Sequence, residues 1–322
     1  MIELSGYSVW PSVQPPPMLE GRPAAERTWP KISIVTPNFN YGHLIEATIR
    51  SVLVQEYPNL EYIVIDDGST DHSLEIIERY QSQLSYFEHH DNQGQYPTIN
   101  KGFARATGDI LGWINSDDIY LPWTLSSVAT IFAAFPEVEW IVGLPASIQN
   151  GVVHDVKRLA PFPRAMIGAG LFHGGSRGLG WIQQESCFWR RSLWERAGGL
   201  RTDLRYAADF ELWTRFAKFA ELYAVSTLWA GFNNRAGENR SLANRERYME
   251  EVERVIGELR KDPKSPEAKI ARDVDRYHRL HRTRGGKAIA GRFLSIGDVR
   301  GPILKWHFGE SRYHIKHKAF FR

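Results

Sequence analysis

The 322-residue sequence contains one cysteine, Cys187, which excludes an internal disulfide framework and fits a reducing compartment. No apolar run approaches the roughly 18–20 residues that a membrane-crossing helix requires. Residues Met1 to Trp10 lack the basic start and apolar stretch of a secretory signal. Together these scarcities set a cytoplasmic expectation. No Gly-x-Gly-x-x-Gly turn follows the first predicted strand, where Thr36-Pro37-Asn38-Phe39-Asn40 stand instead, and this argues against a dinucleotide-dependent oxidoreductase. A basic, glycine-rich phosphate loop near that strand is missing too, which argues against a nucleotidyltransferase. Cys187 has no adjacent histidine and reads as a buried, inert thiol.

What is present is the composition of a soluble globular chain, 43% hydrophobic and 24% charged with a mean hydropathy of -0.38. The net charge of +3 hides an asymmetry. From Ile270 to Arg322 there are 13 Lys and Arg against 4 Asp and Glu, whereas the preceding residues carry 27 against 33. The acidic body is not that of a nucleic-acid binder. The tail interleaves Arg292, Lys305, Arg312, Lys316 and Lys318 with Phe293, Trp306, Phe308, Phe320 and Phe321. That mixture suits an anionic membrane surface, with a docking segment for a partner subunit or plain solvated charge as alternatives. Peripheral attachment at the inner face of a membrane is therefore a second expectation for location.

Residues 1–30 include Pro11, Pro15, Pro16, Pro17, Pro23 and Pro30 and read as an extended arm. From Lys31 strands and helices alternate. Ile32 to Val35, Tyr62 to Ile65, Tyr86 and Phe87, Ile110 to Ile114 and Trp140 to Val142 read as strands, with helical spacing between them. The pattern predicts an α/β fold with a mostly parallel, Rossmann-like sheet, whose ligands bind beyond the carboxyl ends of the strands. Ser69 and Thr70 read as caps of the second helix. Residues 31–235 are read as the main domain. Residues 236–322 are read as a C-terminal extension, helical to about Arg284 and then an irregular basic tail.

Carboxylates cluster at the predicted strand ends. Asp117 and Asp118 follow the Ile110–Ile114 strand, where one can hold a divalent cation and the other a ribose hydroxyl; an Asp pair there equally reads as a helix cap. Asp66 and Asp67 close the second strand. A carboxylate here could accept from a uracil imide or a ribose hydroxyl, or simply form a turn in which Gly68 supplies the unusual backbone angles. Asp209 precedes an amphipathic pattern of Leu212, Trp213 and Phe216. It could take a proton from a sugar acceptor, or cap the helix. Trp113, Trp189, Trp194 and Trp213 fall in apolar patterns and read as core, while Trp181, in a glycine-dense loop, is the better sugar platform. His89 and His90, adjacent on a strand, read as surface residues.

With these elements in place, the sequence resembles a family 2 glycosyltransferase with the GT-A fold, of the bacterial glycan-synthesis type, over roughly Lys31 to Phe232. The motifs are Ile34-Val35-Thr36-Pro37-Asn38-Phe39-Asn40, Ile65-Asp66-Asp67-Gly68-Ser69-Thr70-Asp71 and Trp113-Ile114-Asn115-Ser116-Asp117-Asp118. Asn92, Gly94, Asn100, Gly102, Ala106 and Gly108 lie between the last two at the family's spacing. A final block runs from Gln184 through Phe188-Trp189-Arg190-Arg191 to Ala208-Asp209-Phe210-Glu211-Leu212-Trp213.

The resemblance implies an inverting, metal-dependent transfer from a nucleotide diphosphate sugar, UDP-linked by default, to a glycan, a lipid-linked saccharide or a protein. Thr36, Pro37 and Asn38 would line the nucleoside pocket with Asp67 on the base. Asn115, Ser116 and Asp117 would face ribose or donor sugar. Asp118, with Asp117, would hold Mn2+ or Mg2+, and Asp209 would be the base. Gln184, Glu185, Trp181 and Glu211 would line the acceptor side. Three departures stand out. Asn115 replaces the first acid of the family's Asp-x-Asp triplet, and Ile99 stands where many members have arginine. No histidine follows the last sheet strand, so Arg235 would serve as phosphate clamp. The Gln-x-x-Arg-Trp signature of processive members is missing, which favours one sugar per binding event. The competing reading is a catalytically degenerate nucleotide-sugar-binding scaffold; such a protein would be expected to lose its base, yet Asp209 is retained.

Overall fold

The computed structural model describes residues 29–149, 152–176, 178–233, 243–281, 299–307, 310 and 312–320. The Pro-rich residues 1–28, Arg235, Arg292, Phe293, Phe308 and Phe321 lie outside them.

The chain opens with β1 (Ile32–Asn38), α1 (Ile45–Leu53), β2 (Leu60–Asp66), α2 (Ser73–Tyr80), β3 (Tyr86–His89), α3 (Gln95–Arg105) and β4 (Ile110–Trp113). β5 (Ile119–Tyr120), α4 (Thr124–Ala134), β6 (Trp140–Val142), β7 (Ser147–Gln149), β8 (Val152–His154) and α5 (Arg164–Gly168) follow. Then come β9 (Cys187–Arg190), α6 (Arg191–Ala197), α7 (Ala208–Phe216), β10 (Leu222–Val225) and β11 (Ala230–Asn233). The chain continues through α8 (Arg245–Leu259) and α9 (Pro266–His281) to β12 (Arg300–His307) and β13 (Arg312–Ala319).

Nine strands form the central sheet in the order β13-β12-β10-β6-β9-β4-β1-β2-β3. Every pairing is parallel except those of β9 with β4 and β6 and that of β13 with β12. All seven residues of β1 are buried, as expected of a central parallel strand covered on both faces. Strand alternation sorts the apolar side chains between two cores. Val35, Ile63, Ile65, Leu111 and Trp113 join the layer made by α3, α6, α7, α8 and α9. Ile32, Ile34, Tyr62, Val64 and Ile110 join that of α1, α2 and α4. At Gly102 a Cβ would lie 2.5 Å from Val35 Cγ1, so glycine there lets α3 sit directly on β1. A smaller sheet, β5-β11-β7-β8, stands beside the main one.

The expected irregular tail is corrected. β12 and β13 are strands, and β12 pairs with β10 through Ala224↔Ile303 and Val225↔Leu304. Ile303 reaches one core and Leu304 the other, a period of two that the density of charge concealed. Trp306 meets Tyr313 at 5.2 Å and Phe320 meets Phe172 at 5.5 Å, so these tail rings pack against the protein itself.

Candidate active site

The carboxyl ends of β1 and β2 lie side by side, with Asn38 in register with Asp66. Asp66 is fully buried and fully engaged. Its Oδ2 accepts from Asn38 Nδ2 at 2.7 Å and Ser69 Oγ at 2.6 Å, and its Oδ1 accepts from Ser69 N at 2.9 Å. The His89 Nδ1 atom lies 2.8 Å from the same Oδ1. Ser69 thus serves this turn rather than capping α2, whose cap position is His72. Gly68 has φ +82°, the backbone freedom the turn demands, and a Cβ there would meet Asn92 N at 2.8 Å. Asp67 accepts from the backbone amides of Gln93 at 2.7 Å and Gly94 at 2.9 Å, tying down the loop that leads into α3. His90 is largely buried, with Nδ1 3.6 Å from Asp67 Oδ1. The two histidines read as surface residues therefore both abut the acidic pair, a relation across strands that sequence adjacency does not reveal.

The turn after β4 is cross-braced. Asp118 is buried; its Oδ1 accepts from Asn233 N at 3.0 Å and its Oδ2 from Asn115 Nδ2 at 3.4 Å. Asn115 also donates to Gln184 Oε1 at 3.2 Å and accepts from Gln95 Nε2 at 2.9 Å, while Gln184 Nε2 donates to Trp113 O at 2.7 Å. An amide in place of the expected acid thus supplies a donor to Asp118. Neither Asp117 nor Asp118 caps α4, which starts beyond β5 with Trp123 at its cap position. Burial raises the pKa of Asp118 well above the usual carboxylate range, and the Asp117 and Glu185 charges add to the shift. Burial likewise pushes Glu185 up to about 7, against a hydrogen bond from the Gln183 amide.

Asp209 lies in the first turn of α7. The cap position is Ala207, so Asp209 is not the cap. Glu251 of α8 instead braces the approach to the helix: its carboxylate accepts from the backbone amides of Arg205 at 2.8 Å and of Tyr206 and Ala207 at 2.9 Å each. Four residues on, Trp213 locks the helix into the core, stacked on Trp113 at 6.0 Å and on Trp140 at 5.2 Å. Asp209 Oδ1 is buried with no hydrogen-bond partner. Burial pushes this carboxyl up to about 6, opposed by backbone amides and reinforced by the Glu251 charge.

A cavity of about 450 Å³ joins these parts. Asn115, Asp118, Trp181, Gln184, Glu185 and Asp209 all line it. Trp181 is 50% exposed, and its backbone bridges to His173. Thr36, Pro37, Asn38, Asp67, Ser116 and Asp117 do not line it: the first five are buried and Asp117 is half-buried next to Asp118. The acceptor-side expectation for Glu211 is corrected. Two residues along a helix turn about 200°, which carries Glu211 away from the cavity face. Its carboxylate is held there by Arg215 at 2.6 Å, which also donates to Gly199 O at 2.7 Å. Residues the sequence reading missed are His173, Tyr206, Phe210, Arg245 and Tyr248. Tyr248 Oη donates to His173 O at 3.0 Å. Arg245 and Tyr248 come from α8, past the expected domain boundary at 235; an amphipathic repeat in 245–259 was the available signal.

Residues 33–167 match the family model described as Glycosyl transferase family 2. That segment, somewhat under half of the chain, is similar to the family 2 glycosyltransferases. Relatives include an uncharacterized glycosyltransferase of Nostoc sp., 36% identical over 107 residues, which are 32% of this chain and 33% of that one. One from Rickettsia typhi is 25% identical over 200 residues, 60% of this chain and 61% of the other. The putative teichuronic acid biosynthesis glycosyltransferase TuaG of Bacillus subtilis is 36% identical over 94 residues, 28% of this chain and 36% of TuaG. The chain thus spans from a third to three-fifths of the length of these relatives. Among solved structures, S. aureus TarS 1-349 in complex with UDP-GlcNAc superposes with a TM-score of 0.61 at 20% identity, over 79% of this chain and 74% of that one. The mannosyltransferase PcManGT from Pyrobaculum calidifontis, in complex with GDP-Man and Mn2+, gives 0.53 at 20% identity, over 83% and 74%. The fold expected from the sequence, GT-A, is the fold observed.

Proposed function

We propose that this chain is an inverting, metal-dependent glycosyltransferase that moves one sugar per binding event from a nucleotide diphosphate sugar to a saccharide-bearing acceptor. The observation that carries the reading is Asp209 Oδ1, a buried oxygen without a hydrogen-bond partner, on a carboxyl pushed up to about 6 and lining the same cavity as Asp118. A desolvated carboxylate with one oxygen free of hydrogen bonds is suited to receive a proton. In the step proposed, the acceptor hydroxyl gives its proton to Asp209 as its oxygen attacks the anomeric carbon. The bond from that carbon to the diphosphate breaks, the nucleoside diphosphate departs and the configuration inverts.

The buried carboxyls of Asp118 and Glu185, both raised in part by the Asp117 charge, fit a divalent cation, because its charge offsets that repulsion. Asp118 and Asp117 would hold Mn2+ or Mg2+, which when bound neutralises the leaving diphosphate. Asn115 orients Asp118, Thr36, Pro37, Asn38 and Asp67 form the nucleoside end, and Gln184, Glu185 and Trp181 face the acceptor. TarS binds UDP-GlcNAc and favours a UDP-linked donor, while the likeness to TuaG favours a glycan acceptor. A panel of nucleotide sugars with Mn2+ or Mg2+, read by donor hydrolysis and thermal shift, tests the reading. Asp209→Asn should lower transfer about 10²–10⁴-fold with donor binding kept, and Asp118→Ala should weaken metal-dependent donor binding itself. No response to any donor, with or without metal, would leave the scaffold reading in its place.

A further inference from the structure

The tip of the β12–β13 hairpin gathers three side chains of a different chemistry. The register pairs His307 with Arg312 and Lys305 with His314, so His307 and His314 are diagonal neighbours on one face, with ring centroids 5.0 Å apart. Glu310, in the connection between the strands, reaches back to both. His307 Nδ1 lies 3.6 Å from Glu310 Oε1 and His314 Nε2 lies 3.1 Å from Oε2. One ligand atom from each of the three falls within 4.8 Å of the others, and among the described residues this is the set of three or more His, Cys, Asp or Glu that does so.

A tetrahedral site with bonds of about 2.0–2.1 Å places its ligand atoms roughly 3.3–3.4 Å apart. The two separations, one to each carboxylate oxygen, lie on either side of that value. His314 Nε2 is also a buried nitrogen that makes no properly aligned hydrogen bond despite the nearby carboxylate. Arg312 donates to Glu310 Oε2, which holds the carboxylate at the hairpin tip. Two imidazoles in a set of three favour a borderline transition metal over magnesium or calcium.

We propose that His307, Glu310 and His314 bind one divalent transition-metal ion of the zinc class, with water as the fourth ligand. Because the ligands come from both strands and their connection, the ion would clip the edge hairpin of the main sheet.

The test is titration of the metal-stripped full chain with Zn2+, Mg2+ and Co2+. One equivalent of Zn2+ should bind, Mg2+ should not compete for it, and Co2+ should give the intense visible absorption of tetrahedral coordination. His307→Ala/His314→Ala and Glu310→Gln should each weaken Zn2+ binding at least tenfold while leaving Mn2+-dependent donor binding intact. Zinc should also shield both histidines of the unaltered chain from diethyl pyrocarbonate, a readout independent of how the variants fold. The site is refuted if the variants bind Zn2+ like the parent, if the parent binds none, or if the equivalent is lost in Asp118→Ala instead.

Discussion

Asp209 is caught between reactivity and stability. Its carboxyl is pushed up to about 6 in the folded chain, against an ordinary value of 3.8. Below the ordinary value both states are protonated and the group is neutral to stability. As pH rises through 6 the folded state must ionise a buried carboxyl, which the unfolded chain does more readily, so stability is lost. The difference of about two units corresponds to roughly 3 kcal/mol as an upper bound. Asp209→Asn should therefore remove the proposed transfer and yet raise Tm near pH 8, and that gain should shrink on acidification from 6 to 4. Calorimetry of ligand-free protein across this range is the check; a gain independent of pH would mean that the carboxyl titrates normally. Sequence patterns pointed to Asp209 and Asp118 because each sits where a strand or helix begins or ends, and to Glu185 through the family resemblance alone. They could not reveal that Asp67 is occupied by two loop amides, or that His89 and His90 belong to the acidic turn, since those partners come from other segments.

At the scale of elements, the link between α8 and α7 governs how the proposed base is presented. Glu251 gathers three backbone amides just ahead of Asp209, and its charge helps to raise the Asp209 pKa. The two roles separate by substitution. Glu251→Ala removes both the acceptor and the charge, so kcat should fall about 10–100-fold with donor KM little changed, alongside a loss of about 1–3 kcal/mol from amides left without their acceptor. Glu251→Gln keeps an acceptor but no charge, so most of kcat should remain while the acid limb of its pH profile moves below the parent's. Full kcat in Glu251→Ala would show that α7 holds Asp209 unaided. The βα alternation of residues 31–142 was legible because buried parallel strands are short continuous apolar runs. The role of α8 was not, since a carboxylate reaching 44 residues back to another helix leaves no local trace.

For the whole molecule, the position of β12 and β13 changes what the basic tail means. The strands extend the main sheet beyond β10, and Val299, Ile303, Leu304 and Tyr313 are buried there. At about 1.5–3 kcal/mol for each large apolar side chain, their removal takes away upward of about 5 kcal/mol, the scale of a whole domain's stability. Ending the chain after Arg284 should therefore lower Tm by about 10 °C or more, or yield insoluble protein with an open edge at β10. A tail that merely carried charge would leave Tm unchanged. Attachment to an anionic surface, if this hairpin provides it, rests on exposed cations such as Lys305 and Lys316 rather than on the packed rings of Trp306 and Phe320. Lys305→Glu/Lys316→Glu should then reduce co-sedimentation with anionic vesicles, more so at low salt, while Tm stays within about 2 °C of the parent. Equal sedimentation by parent and variant would confine the hairpin to its structural task of closing the sheet.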